Sequence, residues 1–207
     1  TVDKGTSHFD TKTYTGTGSS LNITGLGFQP DWTWIYNRGG TYASPMFDAV
    51  RGVTKIIEST GNGGENTVAN TLTSFNSDGF TVGADTNNYV NRSSSPNTYV
   101  SWNWKAGGSG SSNTAGSVSS TVSANTTAGF SIVKYTNPSS GSPFTVGHGL
   151  GAAPKMIMIK SLSGTQNWGV YHTGPGFGKY LQLNTTIDEA TANLVTATSS
   201  TTFSTYY

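Results

Sequence analysis

The chain repeats its own landmarks. Thr24-Gly25-Leu26-Gly27-Phe28-Gln29-Pro30 resembles His148-Gly149-Leu150-Gly151-Ala152-Ala153-Pro154, with Leu26 and Leu150 standing 124 positions apart. At that offset Ile35 meets Ile159, Phe47-Asp48 meets Tyr171-His172, and Lys55 meets Lys179. Tyr14 answers Tyr135 after a three-residue insertion, and Phe80 answers Phe203 at an offset of 123. One shared Gly-Leu-Gly would mean little in a chain with 27 glycines. An ordered series at near-constant spacing signals duplication. The fold must therefore be one that about 100 residues can complete.

The boundaries follow from composition. Residues 1–106 read as the first unit, 107–128 as a Gly/Ser/Thr-rich linker with room for one strand over Ser117–Ser123, and 129–207 as the second unit. The second unit lacks a counterpart to Tyr99-Val100-Ser101-Trp102-Asn103-Trp104-Lys105, because the sequence stops soon after Phe203. It is expected to be truncated at its C-terminus, with the missing strand supplied by residues beyond 207 or by a neighbouring chain.

Period two dominates. In Tyr99–Lys105, Val100, Trp102 and Trp104 share one face, which is expected to be core. Asp31–Tyr36 and Lys155–Lys160 are apolar on both faces, as in a strand covered on both sides. Pro30 and Pro154 precede those strands, where a missing N–H breaks no ladder. Ser74–Val82 reads as a hairpin turning at Asp78-Gly79. Ile187–Leu194 is the one helix candidate, at about two turns. The expected fold is all-β: two tandem lectin-like or jelly-roll-type β-sandwich units.

Composition narrows function. Only 10% of the residues are charged and the net charge is +1, which leaves no electrostatic footprint for nucleic acid. Mean hydropathy is −0.33, and no apolar run is long enough for a spanning helix, so membrane insertion is not expected. Aromatics at 12% argue against disorder. There are no cysteines, and His8, His148 and His172 are too dispersed for a metal site. No cofactor is expected. A calcium site at Asp78 and Asp85 is conceivable, but the turn explains Asp78 better.

No catalytic constellation is recognisable: Glu58 and Glu65 read as solvated loop acids, and Gly107-Gly108-Ser109-Gly110 as linker rather than nucleophile elbow. The chain reads as a non-enzyme. Asp48 and Arg51 form the one charged cluster that invites a binding role, although a surface ion pair orienting a loop is the blander reading. Tyr36, Tyr42, Tyr89 and Trp168 are the aromatics placed as candidate sugar-stacking groups.

Several motifs carry a family resemblance. Thr13-Tyr14-Thr15-Gly16-Thr17-Gly18, Gly25–Asp31, Phe47-Asp48-Ala49-Val50-Arg51-Gly52, Leu72–Gly83 and Tyr99–Gly108 resemble an uncharacterised repeat domain of tail-fibre and other structural proteins from marine tailed bacteriophages, cyanophages among them. Gly147–Gly151, Pro154–Ile157 and Trp168–His172 continue it. The resemblance implies a virion structural or adhesive module on the virion surface, outside the cell, with other virion proteins and a host-surface glycan as partners. It implies a homo-oligomer, a trimer by default, and transfers no catalytic residue. A capsid decoration protein and an extracellular carbohydrate-binding lectin or adhesin are the rival readings.

Overall fold

The computed structural model describes residues 5–95 and 97–207. Among the described residues every regular element is a strand, apart from one 3-10 turn at Gly5–Ser7. The protein is all-β and of sandwich type.

The first half contains β1 (Phe9–Thr15), β2 (Leu21–Thr24), β3 (Trp32–Asn37), β4 (Pro45–Asp48), β5 (Lys55–Glu58), β6 (Asn66–Thr67), β7 (Leu72–Asn76), β8 (Gly79–Val82) and β9 (Thr98–Trp104). One sheet runs β1-β9-β3-β4-β5-β6 and a second runs β2-β8-β7. Both contribute to one core that includes Ile23, Ile35, Phe47, Leu72, Phe80 and Tyr99. Period two puts these side chains on one face of each strand.

The second half contains β10 (Ser111–Asn113), β11 (Ser120–Asn125), β12 (Phe130–Tyr135), β13 (Phe144–Gly147), β14 (Met156–Ile159), β15 (Gly169–His172), β16 (Lys179–Gln182), β17 (Ala190–Thr191), β18 (Val195–Thr198) and β19 (Thr202–Thr205). These pair as β10-β11-β12, β13-β19-β18 and β14-β15-β16-β17. Phe144, Val146, Ile159, Tyr171, Val195 and Phe203 form its core.

The ladders recur in register. Trp32 faces Asp48 and Trp34 faces Met46 across β3 and β4. Met156 faces His172 and Met158 faces Val170 across β14 and β15, each 124 positions on. Leu21 faces Val82 in the first half, and Phe144 faces Thr205 in the second, each 123 on. The ladder slips between Leu72 and Ser74 in β7, and between Val195 and Ala197 in β18. Tyr14 meets Phe80 edge-on at 6.4 Å, as Tyr135 meets Phe203 at 6.1 Å.

The halves part company at one strand. β9 lies between β1 and β3 and bonds to both. Among the described residues, no strand pairs with both β12 and β14. Among the described residues β14 is an edge strand, and one of its faces is open rather than covered as its apolar sequence suggests, with Met156 54% exposed.

Four local expectations need correction. The segment 107–128 is not a free linker, since it carries β10 and β11, and a Cβ on Gly107 would lie 2.7 Å from the Ala124 carbonyl oxygen. Glycine serves close approach here, not flexibility. Ile187–Leu194 is not helical: β17 pairs with β16, and Glu189 binds Lys179 at 2.5 Å. The hairpin turns at Ser77-Asp78, because Gly79 already pairs with Asn76. Asp78 instead accepts the Gly25 and Gly27 amides at 2.9 and 2.6 Å, which hold its carboxyl below the usual range.

The last correction concerns β9. Tyr99, Ser101 and Asn103 are its buried face, while Val100, Trp102 and Trp104 are half-buried on the other. Small polar side chains tolerate burial here because backbone oxygens accept from them, Asp10 from Asn103 Nδ2 at 3.2 Å and Lys12 from Ser101 Oγ at 3.4 Å. One pair is left over: among the described residues, Thr33 Oγ1 and Asn103 Oδ1 lie buried without partners, on residues facing each other. Thr33→Val is therefore expected to raise stability by up to about 1 kcal/mol, because an unpartnered buried hydroxyl costs more than the methyl replacing it. Urea midpoints check this; a clear loss would mean the hydroxyl is bonded.

His148 is 2% exposed. Its Nδ1 accepts the Leu150 amide at 3.1 Å, so Nε2 carries the hydrogen and donates to Ser199 O at 3.2 Å. Burial lowers its pKa below 6.5. The unfolded chain then binds the proton more readily than the folded one. His148's contribution should be full above about pH 6.5 and decline as pH falls from there toward the folded value. Urea unfolding across pH 5–7.5 reads this slope, and His148→Asn should flatten it.

Candidate functional site

The outward face of the six-stranded sheet is a field of aromatic rings. Cross-strand register places Phe9, Trp104 and Trp32 in one row, with Trp102, Trp34, Met46 and Ile57 in the next. Val100 and Tyr36 continue the face. Ring centroids lie 4.3 Å apart for Trp32 and Trp104, and 5.7 Å apart for Trp34 and Trp102. An apolar face of this size needs cover.

The second half provides most of it. Phe130 at the start of β12 stacks on Trp32 at 5.7 Å and on Trp104 at 6.3 Å. Trp168, just before β15, is 4% exposed and buried with Met46 and Ile57, and Met158, Leu162 and Leu183 pack around them. The Trp168 indole donates to Glu58 O at 2.8 Å. Backbone bonds flank the contact, from Glu65 N to Leu162 O at 2.8 Å and from Gln166 N to Asn62 O at 2.9 Å.

Cover stops short of one corner. There a cleft of about 500 Å³ opens between Trp34, Tyr36 and Trp102 on one side and Leu183–Thr186 on the other, with Ser44, Ser59 and Thr60 along its margin. That volume lies within the range of small-molecule sites. Trp34 is held in place: its Nε1 donates to Ser59 Oγ at 3.1 Å, and that hydroxyl donates to Ser44 O at 3.1 Å. Asn184 braces the opposite wall, accepting from Trp168 N at 2.9 Å and donating to Asn167 Oδ1 at 2.9 Å. Among the described residues no charged side chain lines the cleft. It offers aromatic faces and neutral hydroxyls.

A family model described as a domain of unknown function, DUF7483, matches residues 4–207. The chain belongs to that family. The matched range spans both halves and the segment joining them. No curated protein matches the chain, and no solved structure does.

In this DUF7483 domain the sequence-selected residues scatter. Tyr36 lines the cleft and is 38% exposed. Trp168 is no surface platform but the buried strut between the halves. Tyr42 is occupied by Arg92, whose guanidinium sits 5.5 Å over the ring and whose Nη1 donates to the hydroxyl. Tyr89 is half-buried against the first core, and burial raises its hydroxyl pKa. Asp48 and Arg51 are not a surface pair: both side chains are nearly buried and bonded to each other.

Asp85 is committed to the amides of Asn87 and Val90 at 3.0 and 2.7 Å. Asp78 is likewise occupied by backbone, so the two acids form no joint site. Sequence reading missed Trp34 and Trp102. Their signal was present in the alternation of β3 and β9, but it was assigned to the core.

Proposed function

We propose that this DUF7483 domain is a non-catalytic structural and adhesive module of a tailed-phage particle, carried in a tail fibre or tail-associated appendage. The observation that carries the adhesive part is the uncharged aromatic cleft between the halves. The motif resemblance supports the virion setting, and a surface poor in charge suits contact with neutral envelope polymers. The two halves are taken as copies of one unit, on the strength of their matching registers. Among the described residues the second half repeats the pairings of β2 to β8, without a counterpart of β9.

On this reading the partners are other virion proteins and a host-surface glycan, and the working form is a homo-oligomer, a trimer by default. Immunogold imaging of particles that carry the chain tests the setting. Label along the tail or its fibres is expected. Label over the head faces would favour a decoration protein, and particles without label would sink the virion reading.

A further inference from the structure

We infer that the cleft between Trp34, Tyr36, Trp102 and the Leu183–Thr186 segment binds an uncharged saccharide, an inference that deepens the adhesive reading and rests on it. The floor is made of half-exposed indole rings from β3 and β9 with a tyrosine beside them. A pyranose ring presents a face of C–H groups whose hydrogens are slightly positive. Such a face packs on the electron-rich face of an indole, while the ring's hydroxyls point outward to the rim.

The rim matches that need. Thr60 and Thr186 are exposed, and Thr185 stands between Thr186 and the braced Asn184. Hydroxyl groups both donate and accept, which suits sugar hydroxyls of either orientation. Among the described residues the lining carries no charge, and that decides the ligand class. A uronate, sialate or sulfate would surrender hydration without meeting a cation, and an ammonium group would meet no carboxylate. A neutral sugar meets no such cost.

The cleft is also organised before any ligand arrives. The Ser44–Ser59–Trp34 chain of hydrogen bonds fixes one indole, and Trp102 packs against it. Little side-chain freedom is left to lose on binding, which favours affinity. Since one wall comes from each half, the site exists only while the halves are docked.

The test uses the full chain. Calorimetric and NMR titrations are run with neutral hexasaccharides (cellohexaose, maltohexaose, chitohexaose, mannohexaose), and with oligogalacturonate and a heparin hexasaccharide as charged comparators. Binding of at least one neutral sugar at millimolar strength or tighter is expected, with no binding of the charged ones. Trp102→Ala should weaken it by about ten-fold or more, and Trp102→Phe by less, with thermal midpoints confirming that both variants fold. Tyr36→Ala gives a second, more exposed probe of the same wall.

Binding only of the charged sugars, binding that survives Trp102→Ala and Tyr36→Ala together, or no binding across the panel at about 10 mM overturns the inference. Failure of the virion reading is seen separately, in the immunogold result: tail label without sugar binding removes this inference alone, and unlabelled particles with sugar binding remove the virion setting alone.

Discussion

Arg51→Ala is expected to destabilise the protein by about 3–5 kcal/mol, the usual cost of stranding one member of a buried ion pair. The Arg51 side chain is 5% exposed. Its Nε donates to Asp48, Nη2 to Met46 O at 2.9 Å, and Nη1 to Lys55 O at 3.1 Å and Glu65 Oε2 at 3.3 Å. Asp48 in turn accepts the amides of Val50 and Arg51 at 3.1 and 2.8 Å. The guanidinium thus ties β4, its following turn and β5 together. Alanine would leave the Asp48 carboxylate buried without its cation.

Arg51→Lys should rescue little, since an ammonium cannot span four acceptors laid out for a planar fork. Asp48→Asn combined with Arg51→Met should cost much less than Arg51→Ala, because no buried charge remains unpaired. Urea unfolding of the three variants decides. A loss below about 1 kcal/mol for Arg51→Ala would return the pair to the surface-bridge class.

The second half shows that the tie is local. At the matched offset His172 replaces Asp48 and Pro175 replaces Arg51. The turn nevertheless keeps its shape, with Gly176 N bonding to His172 O at 3.2 Å as Gly52 N bonds to Asp48 O at 3.0 Å. His172 Nδ1 accepts the Gly174 amide at 2.9 Å, where Asp48 accepts Val50. The backbone bond is common to both turns; the buried arginine is an addition in one.

That contrast bears on what the sequence made legible. Period-two alternation was enough to identify an all-β chain, and residues 124 positions apart occupy matching rungs of β3–β4 and β14–β15. Burial was harder. In β9 the alternation was read correctly, yet its faces were assigned in reverse, because hydrophobicity alone favours Trp102 over Ser101. Hydrogen bonds to β1 make the burial of Ser101 and Asn103 tolerable, and what half-covers Trp104 is Phe130, from a different part of the chain.

The linker was misread for a related reason: a glycine needed for close packing against Ala124 is spelled like one that loosens the backbone. Of the candidate site only Tyr36 was legible. Its partners Trp34 and Trp102 looked like core, since the gap left between two docked halves is a tertiary feature with no local pattern. Trp168 erred the other way. Read as an exposed ring, it is the most deeply committed aromatic between the halves.

Trp168→Ala should accordingly be the most disruptive change at that junction, costing about 3–5 kcal/mol as large-to-small core substitutions of tryptophan do. It removes the indole from between Met46 and Ile57 and abolishes the bond to Glu58 O. The remaining ties are Met158, Leu162 and Leu183, only partly buried against that cluster, and polar bonds such as Lys160 Nζ to Asn62 O at 3.1 Å, which contribute only about 1 kcal/mol each. Phe130 still holds Trp32 and Trp104, but it lies on the other flank of the aromatic face. A single cooperative thermal transition should therefore split into two, each half melting on its own core. Trp168→Phe, which keeps much of the apolar area but loses the donor and part of the ring, should cost less, about 1–2 kcal/mol, and leave one transition. Calorimetry of the three proteins separates these outcomes. Two transitions for the alanine variant would also mean that Leu183–Thr186 no longer faces Trp34 and Trp102, so any ligand of the cleft should be lost with the coupling. An unsplit transition would mean that the peripheral contacts, not the indole, join the halves.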